Sequence, residues 1–372
     1  METHHFPCPQ CGSDLRFSPG SGGLMCDHCG YTDEAADLRA GPWGGQAIRE
    51  QDFQAALRDQ LPQTEMEETR TAHCNSCGAT VDFNDATHGR ECPFCASPLV
   101  VDTGANRHIK PRALLPFALD EEAARQAMSN WLGRLWFAPS GLKKYARRGR
   151  KMDGVYVPYW TFDALTRSAY SGQRGTVYAQ SKTVIRDGQP QTHTVTKVRW
   201  RSVAGQVHRA FDDVLVLGAR SLPRAYTEAL APWDLSRLVP YAPEYIAGLR
   251  AEAYTIDLDE AFHQARGQMD RVIERDVRFD IGGDRQRITR IDTQVSDVTF
   301  KHVLLPVWIA AYKFRGRSYR FVVNGQTGQV KGDRPWSAGK IALAIAAGLI
   351  LAAIVGYAIS QQQNGGMLPS GY

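Results

Sequence analysis

The sequence predicts an α+β chain of several domains with one membrane-spanning helix near its C-terminal end. Three observations carry that expectation. All eight cysteines fall in the first 95 residues, as four CxxC pairs. The middle of the chain runs twice from a helix-period segment into long strand-period segments. From Ile341 to Ile359, 19 residues carry no charge. At 372 residues the chain exceeds one typical domain.

Residues 1–40 and 70–105 are each expected to be a zinc ribbon, with a helix and acidic linker over 41–69 between them. Cys8 and Cys11 are followed, after 14 intervening residues, by Cys26 and Cys29; Cys74 and Cys77 are followed by Cys92 and Cys95 at the same spacing. A CxxC turn aims two thiolates at one point. An excursion of that length suits a β-hairpin that brings the second pair opposite the first. Four thiolates in a tetrahedron make a closed structural Zn2+ site with no open position for metal catalysis. Gly12, Gly30 and Gly78 follow three of the knuckles, where the turn wants free φ, and Ala96 follows the fourth. Disulfides would need an oxidising compartment. A redox CxxC usually comes once, on a βαβ background. A rubredoxin-like iron site uses similar knuckles at a wider separation. Ribbons of this size bury too little apolar surface to fold alone, so metal supplies most of their folding free energy. Between them, the spacing of Ile48, Phe53, Ala56 and Leu57 predicts a helix over 46–60, followed by the acidic linker.

Residues 106–335 read as the α+β body. Residues 113–136 give a strand, an Asp120 cap and a helix, with Glu121 and Glu122 at its positive end. A basic loop with six cations in nine residues (143–151) follows. Strands are expected over 155–218, with a hairpin turn at Arg186–Gln189. Residues 224–254 read as helical and interrupted by proline. A second cycle has a helix over 256–280, started by Asp257 or Asp259. A β-meander over 285–332 then turns on Asn324–Gly325. Val157-Pro158-Tyr159-Trp160 and Leu305-Pro306-Val307-Trp308 share a layout, and each follows a helix. The body is therefore expected to be a duplicated unit of a helix followed by an antiparallel sheet.

The last element is expected to be a transmembrane helix over 338–360. Its uncharged stretch would be roughly 28 Å long, close to the hydrocarbon thickness of a bilayer. Lys331, Arg334 and Lys340 precede it and the tail 361–372 has no charge. The positive-inside rule then leaves the larger part of the chain in the cytoplasm and the tail outside. The first residues show no apolar core of a signal peptide. The expected location is the inner cell membrane, crossed once. Ala344, Gly348, Ala352, Gly356 and Ser360 recur every fourth residue, a ladder that permits close helix approach and self-association.

Charge is unevenly spread. Residues 1–105 hold 6 Lys+Arg against 16 Asp+Glu, and residues 106–335 hold 37 against 23. Such a front repels a phosphate backbone, so the ribbons read as protein-docking elements. The basic body suits anionic headgroups beside a membrane; nucleic acid is the rival partner. Enzyme signatures are thin, and no catalytic residue is expected. The one Gly-Lys dipeptide, Gly339-Lys340, runs straight into the apolar stretch, which excludes a phosphate-cradling loop there. Glu260 and His263 form half of a di-iron pattern with no second copy.

The phrases "PYWTFDA", "FDDVLVLGARSLP", "PWDLSRLVPY", "YIAGLRAEAY", "DIGGDRQRI", "FKHVLLPVWIAAY" and "VNGQTGQVKG" together resemble a family of bacterial membrane-associated proteins. Those proteins carry a transcription-factor-IIB-type zinc ribbon and are often described as primosomal protein N-prime (replication factor Y)-like. The resemblance covers roughly residues 70–335. It implies a membrane adaptor, often encoded beside phage-shock or flotillin-like (SPFH) proteins, that recruits them to the membrane.

Overall fold

The computed structural model describes residues 6–33, 48–82, 91–97, 99–137, 152–186, 189–314, 317–333 and 336–364. The basic loop 143–151, the centre of the Arg186–Gln189 turn and the end of the tail lie outside them. Among the described residues the architecture is α+β, with five helices, the last of them apolar, and three sheets.

The front begins with a three-stranded antiparallel sheet of Leu15–Ser18 (β1), Gly23–Cys26 (β2) and Thr32–Asp33 (β3). Gln51–Asp52 (β4) pairs with the body sheet and leads into a five-residue helix, Phe53–Leu57 (α1). The helix expected over 46–60 is shorter because residues 51–52 are taken up by pairing, with Asp52 capping Ala55 N at 2.6 Å. The segment expected as an acidic linker instead forms a 3-10 turn, Gln63–Glu65, and then enters a strand at Met66. Met66–His73 (β5) lies between Thr80–Asp82 (β6) and Val100–Ile109 (β7).

Ala113–Leu114 (β8) precedes Glu121–Arg134 (α2), whose Asp120 cap accepts from Ala123 N at 2.8 Å as expected. Asp153–Arg186 (β9) and Gln189–Leu217 (β10) are exceptionally long antiparallel partners. After them come Arg224–Leu230 (α3), Val239–Pro240 (β11) and Arg250–Ala251 (β12), then Leu258–Ile281 (α4). Arg285–Phe314 (β13), Arg317–Asn324 (β14) and Val330–Gly332 (β15) complete the nine-stranded sheet, whose main path is β10-β9-β13-β14-β15. The turn into β15 is not a two-residue Asn-Gly hairpin. Asn324 Oδ1 accepts from Gln326 N and Thr327 N, and Gly328 takes the left-handed φ of 75°.

α4 buries Ala261, Ala265, Met269, Ile273, Val277 and Ile281 against one face of β9, β10 and β13. A stripe repeating every four residues drifts around a 3.6-residue helix, which lets α4 follow the twist of long strands.

Two sets of contacts around β9 and β13 mirror each other. Val157 and Leu305 face each other in the ladder, so the two Pro-x-Trp segments run outward in opposite directions from that pair. Proline cannot donate to a ladder. The carbonyls of Pro158 and Pro306 instead accept from Gly218 N and Gly325 N, each at 2.8 Å. A Cβ on either glycine would approach that carbonyl to about 3 Å. Gly218 O accepts from Thr255 N and Ile256 N, and Gly325 O from Ala118 N and Leu119 N. Trp160 Nε1 donates to Ile256 O at 3.0 Å, and Trp308 Nε1 to Leu119 O at 2.9 Å. Each tryptophan thereby holds the residue just before an Asp N-cap, Asp257 of α4 and Asp120 of α2.

Ala338–Asn364 (α5) is long and apolar enough over Ala338–Ser360 to cross a membrane, with Lys340 as the charged residue of that stretch, and its apolar window is not buried against the body.

Candidate metal centres

In each cysteine set, the four sulfur atoms lie within 4.8 Å of one another. Cys8 and Cys29 are 3.6 Å apart and Cys11 and Cys26 3.5 Å. Cys74 and Cys95 are 3.5 Å apart and Cys77 and Cys92 3.6 Å. A tetrahedron with metal–sulfur bonds of about 2.3 Å has edges of about 3.8 Å, so both sets fit one four-coordinate ion. None of the eight is in a disulfide. The sequence-predicted ligands are thus brought together in the predicted groups of four.

The backbone explains why. In all four knuckles the residue after the second cysteine donates its N–H to the first cysteine's carbonyl: Gly12 to Cys8, Gly30 to Cys26, Gly78 to Cys74 and Ala96 to Cys92, at 2.8–3.0 Å. Closing that turn requires positive φ, 74–76° at the three glycines and 56° at Ala96. An L-residue in this region costs about 1 kcal/mol. Ala96→Gly is therefore expected to raise stability by up to about 1 kcal/mol, read as a higher denaturant midpoint at unchanged slope. Gly78→Ala is expected to do the reverse.

The thiols are not equivalent. The Ser13 backbone N–H, then its side chain, holds Cys11 down to about 6. The contact with Cys92 holds Cys77 down to about 5, while Cys92 itself is pushed up by Cys77 and by burial. Each set thus has one thiol ready to ionise, the form a metal takes.

The two centres differ in setting. Cys11 and Cys29 are exposed. The first ribbon nevertheless rests on the body: Phe17 N donates to Ala247 O at 2.9 Å, and the Phe17 ring lies 5.3 Å from Tyr245. The second centre is deeper. Cys74, Cys92, Cys95 and Phe94 are buried in one cluster with Val155, Val157, Leu305 and Val307 of the central strands. Val81 forms a bridge with Glu252, and Ala253 N donates to Thr80 O.

Two polar sites in the body were not visible in the sequence. Lys301 has only 9% of its side chain exposed and reaches Asp213 at 2.8 Å, Glu50 at 2.9 Å and Asp163 at 4.0 Å. Asp163, Asp212 and Asp213 bring carboxylate oxygens within 4.8 Å of one another here, and the Lys301 ammonium lies against Asp163 and Asp213. Burial, then the adjacent Glu50 carboxylate, pushes Asp163 up to about 7. The hydrogen bond with Asp163 heads the contacts holding Glu50 down to about 2.

His302 is the second. It packs against Trp160 and Tyr254, with Nδ1 2.8 Å from Ile109 O. Burial, chiefly, lowers its pKa to about 3. The unfolded chain takes up this proton below about pH 6.5, whereas the folded chain does not until about pH 3. Stability is therefore lost as pH falls through that window, on the order of 2 kcal/mol from this group between pH 7 and pH 5. His302→Gln is expected to be less stable at pH 7 but to lose about 2 kcal/mol less than the parent on going to pH 5, by urea denaturation at both.

No family model matches the chain, and no solved structure matches it. The chain is similar to a protein of Bacillus subtilis (strain 168) described as "Uncharacterized protein YdjG". The two are 26% identical over 360 residues, covering 93% of this chain and 95% of the relative.

Proposed function

We propose that the chain is a non-enzymatic membrane adaptor. In this reading α5 anchors it once in the inner cell membrane. The cytoplasmic body, stiffened by two structural Zn2+ ions, recruits protein partners to the membrane face. The observation that carries the reading is the unburied apolar stretch Ala338–Ser360, which entering lipid would take out of water. Its surroundings support it. Trp136 and Trp336 are 81% and 67% exposed beside the start of α5. Phe137 stacks near Trp336, Ser337 N donates to Phe137 O, and Lys340 Nζ lies 3.3 Å from Trp136 O. Tryptophan and lysine at a span's end suit the headgroup level and a cytoplasmic side. The cations of residues 143–151 follow this collar in sequence and suit anionic headgroups.

Zinc is supported by the all-thiolate donor sets and their tetrahedral spacing. Duplication of the body is supported by the mirrored Pro, Gly and Trp contacts about the Val157–Leu305 pair. The phage-shock or SPFH-type partners, and a role in envelope stress, rest on the resemblance in sequence. Self-association of α5 rests on its small-residue ladder.

The test compares proximity labelling by the full chain and by a chain ending at residue 337. The adaptor reading expects the same proteins to be labelled by both, and expects them to sediment with membranes only when α5 is present. Labelling no different from an unrelated membrane-anchored control would contradict it.

A further inference from the structure

The long strands do not end together. β13 begins at Arg285, opposite Gly175. α4 ends at Ile281, whose side chain lies against Gly172. Past Gly175 and its partner Trp200, β9 and β10 continue alone as a two-stranded arm in unbroken register. Residues 176–183 and 193–197 are exposed throughout. A ribbon with both faces in water has little core of its own, so packing does not account for its side chains.

Residues opposite each other in an antiparallel pair share a face, and faces alternate along each strand. The register therefore sorts this arm. Arg174 faces Arg201, Arg199 and Lys197 follow on the same side, and Lys182 faces His193. The other side carries Val177 opposite Val198, Ala179 opposite Thr196 and Ser181 opposite Thr194. Every lysine and arginine of 172–183 and 193–203 thus lies on one face, and those segments contain no Asp or Glu. Lys197, Arg199 and Arg201 occupy alternate positions of one strand, about 6.7 Å apart. Arg199 is steadied over the Tyr178 ring at 5.3 Å.

We propose that this cationic face binds the phosphate backbone of double-stranded nucleic acid. Charge complementarity requires a polyanion, and the major groove admits a two-stranded β-ribbon. Position decides among polyanions. The second ribbon packs at Val155 and Val157. α5 starts beside Trp136 and Phe137, just past α2. α2 packs against β14, whose partner residues 307–309 pair with residues 153–155, so both lie towards the same end of the sheet. The strand from Val155 to Gly175 runs about 65 Å, many times the roughly 8 Å screening length at physiological salt. The acidic front therefore does not repel a duplex held at the arm. The headgroups around α5 are likewise distant along the strand. This site is separate from the adaptor reading and stands or falls without it.

The experiment uses full-length, zinc-loaded protein in neutral-lipid nanodiscs. The probe is a fluorescein-labelled random duplex of about 20 base pairs, read by anisotropy between about 50 and 200 mM salt. Engagement of the five arm cations gives a slope of log K against log salt near −4.5, at about −0.9 per phosphate neutralised. The variant K182Q/K197Q/R199Q/R201Q alters only exposed side chains. It is expected to bind at least about 30-fold more weakly at the lowest salt, with a slope shallower by about 3.5. K143Q/K144Q/R147Q/R148Q, in the basic loop, is expected to stay near the parent. No duplex binding by the parent, or undiminished binding by the arm variant, overturns the proposal. So does an arm variant that loses binding to anionic vesicles while keeping the duplex, which would make the face a lipid surface.

Discussion

Cys92→Ser is expected to abolish folding of the body, not merely to empty one metal centre. Structural zinc in thiolate sites contributes on the order of 10 kcal/mol of apparent folding free energy, comparable to the whole stability of a typical domain. Here that contribution cannot stay local. Cys92 and its neighbour Phe94 are buried in the cluster that also holds Val155, Val157, Leu305 and Val307. β6 is joined to the body at Val81–Glu252, and Glu252 N in turn donates to Tyr156 O in β9. Releasing the second ribbon uncovers the central strands. The expected result is a protein without a cooperative thermal transition that accumulates in aggregates. Cys11→Ser is the contrast. Its sulfur is exposed at the rim of the first centre, so zinc content should fall by about one ion per chain while the main transition of the body survives. Zinc content and calorimetry of the two variants check both outcomes.

Lys301→Met is expected to cost about 3–5 kcal/mol, the usual loss when one partner of a buried ionic group is removed. The ammonium is the cation shared by Glu50, Asp163 and Asp213. Without it the carboxylates repel one another in a site that burial already makes unfavourable to charge. The contact has a structural consequence beyond its energy. Glu50 also accepts from Thr299, and the next residues, Gln51 and Asp52, pair with Phe300 and Thr299 of β13. Lys301 thus fastens the segment between the ribbons to the sheet. Adding Asp213→Asn to Lys301→Met should recover part of the loss by removing the carboxylate that lies closest to the ammonium, at 2.8 Å. Urea denaturation at pH 7 of the parent, the single variant and the double variant measures it.

The metal centres were the most legible part of the sequence because their information is local. Four CxxC turns at one repeated spacing dictate both the ligands and the hairpin of β1 and β2. α4 was equally clear as a helix, with its start open between Asp257 and Asp259; the structure begins it after Asp257. What stayed hidden depends on partners distant in sequence. β5 looked like a linker because Glu67, Glu68 and Arg70 obscure any apolar alternation; its pairing with β7 makes it a strand. The seating of both ribbons had one signal, Phe17 and Phe94, large apolar side chains in ribbons too small to bury them. Lys301 and Glu50 are 251 residues apart, and nothing near either announces the other. The Asn324–Gly325 dipeptide misled for a different reason. Gly325 is required by the approach of Pro306 O and Phe117 rather than by a hairpin turn.

The central claim is that α5 holds a folded, zinc-bearing body against a membrane. The most direct measurement is alkaline carbonate extraction of membranes from cells making the full chain or the chain ending at residue 337. The account predicts that the full chain stays in the pellet and the shortened chain, still binding zinc, moves entirely to the supernatant. Recovery of the full chain in the supernatant would contradict it.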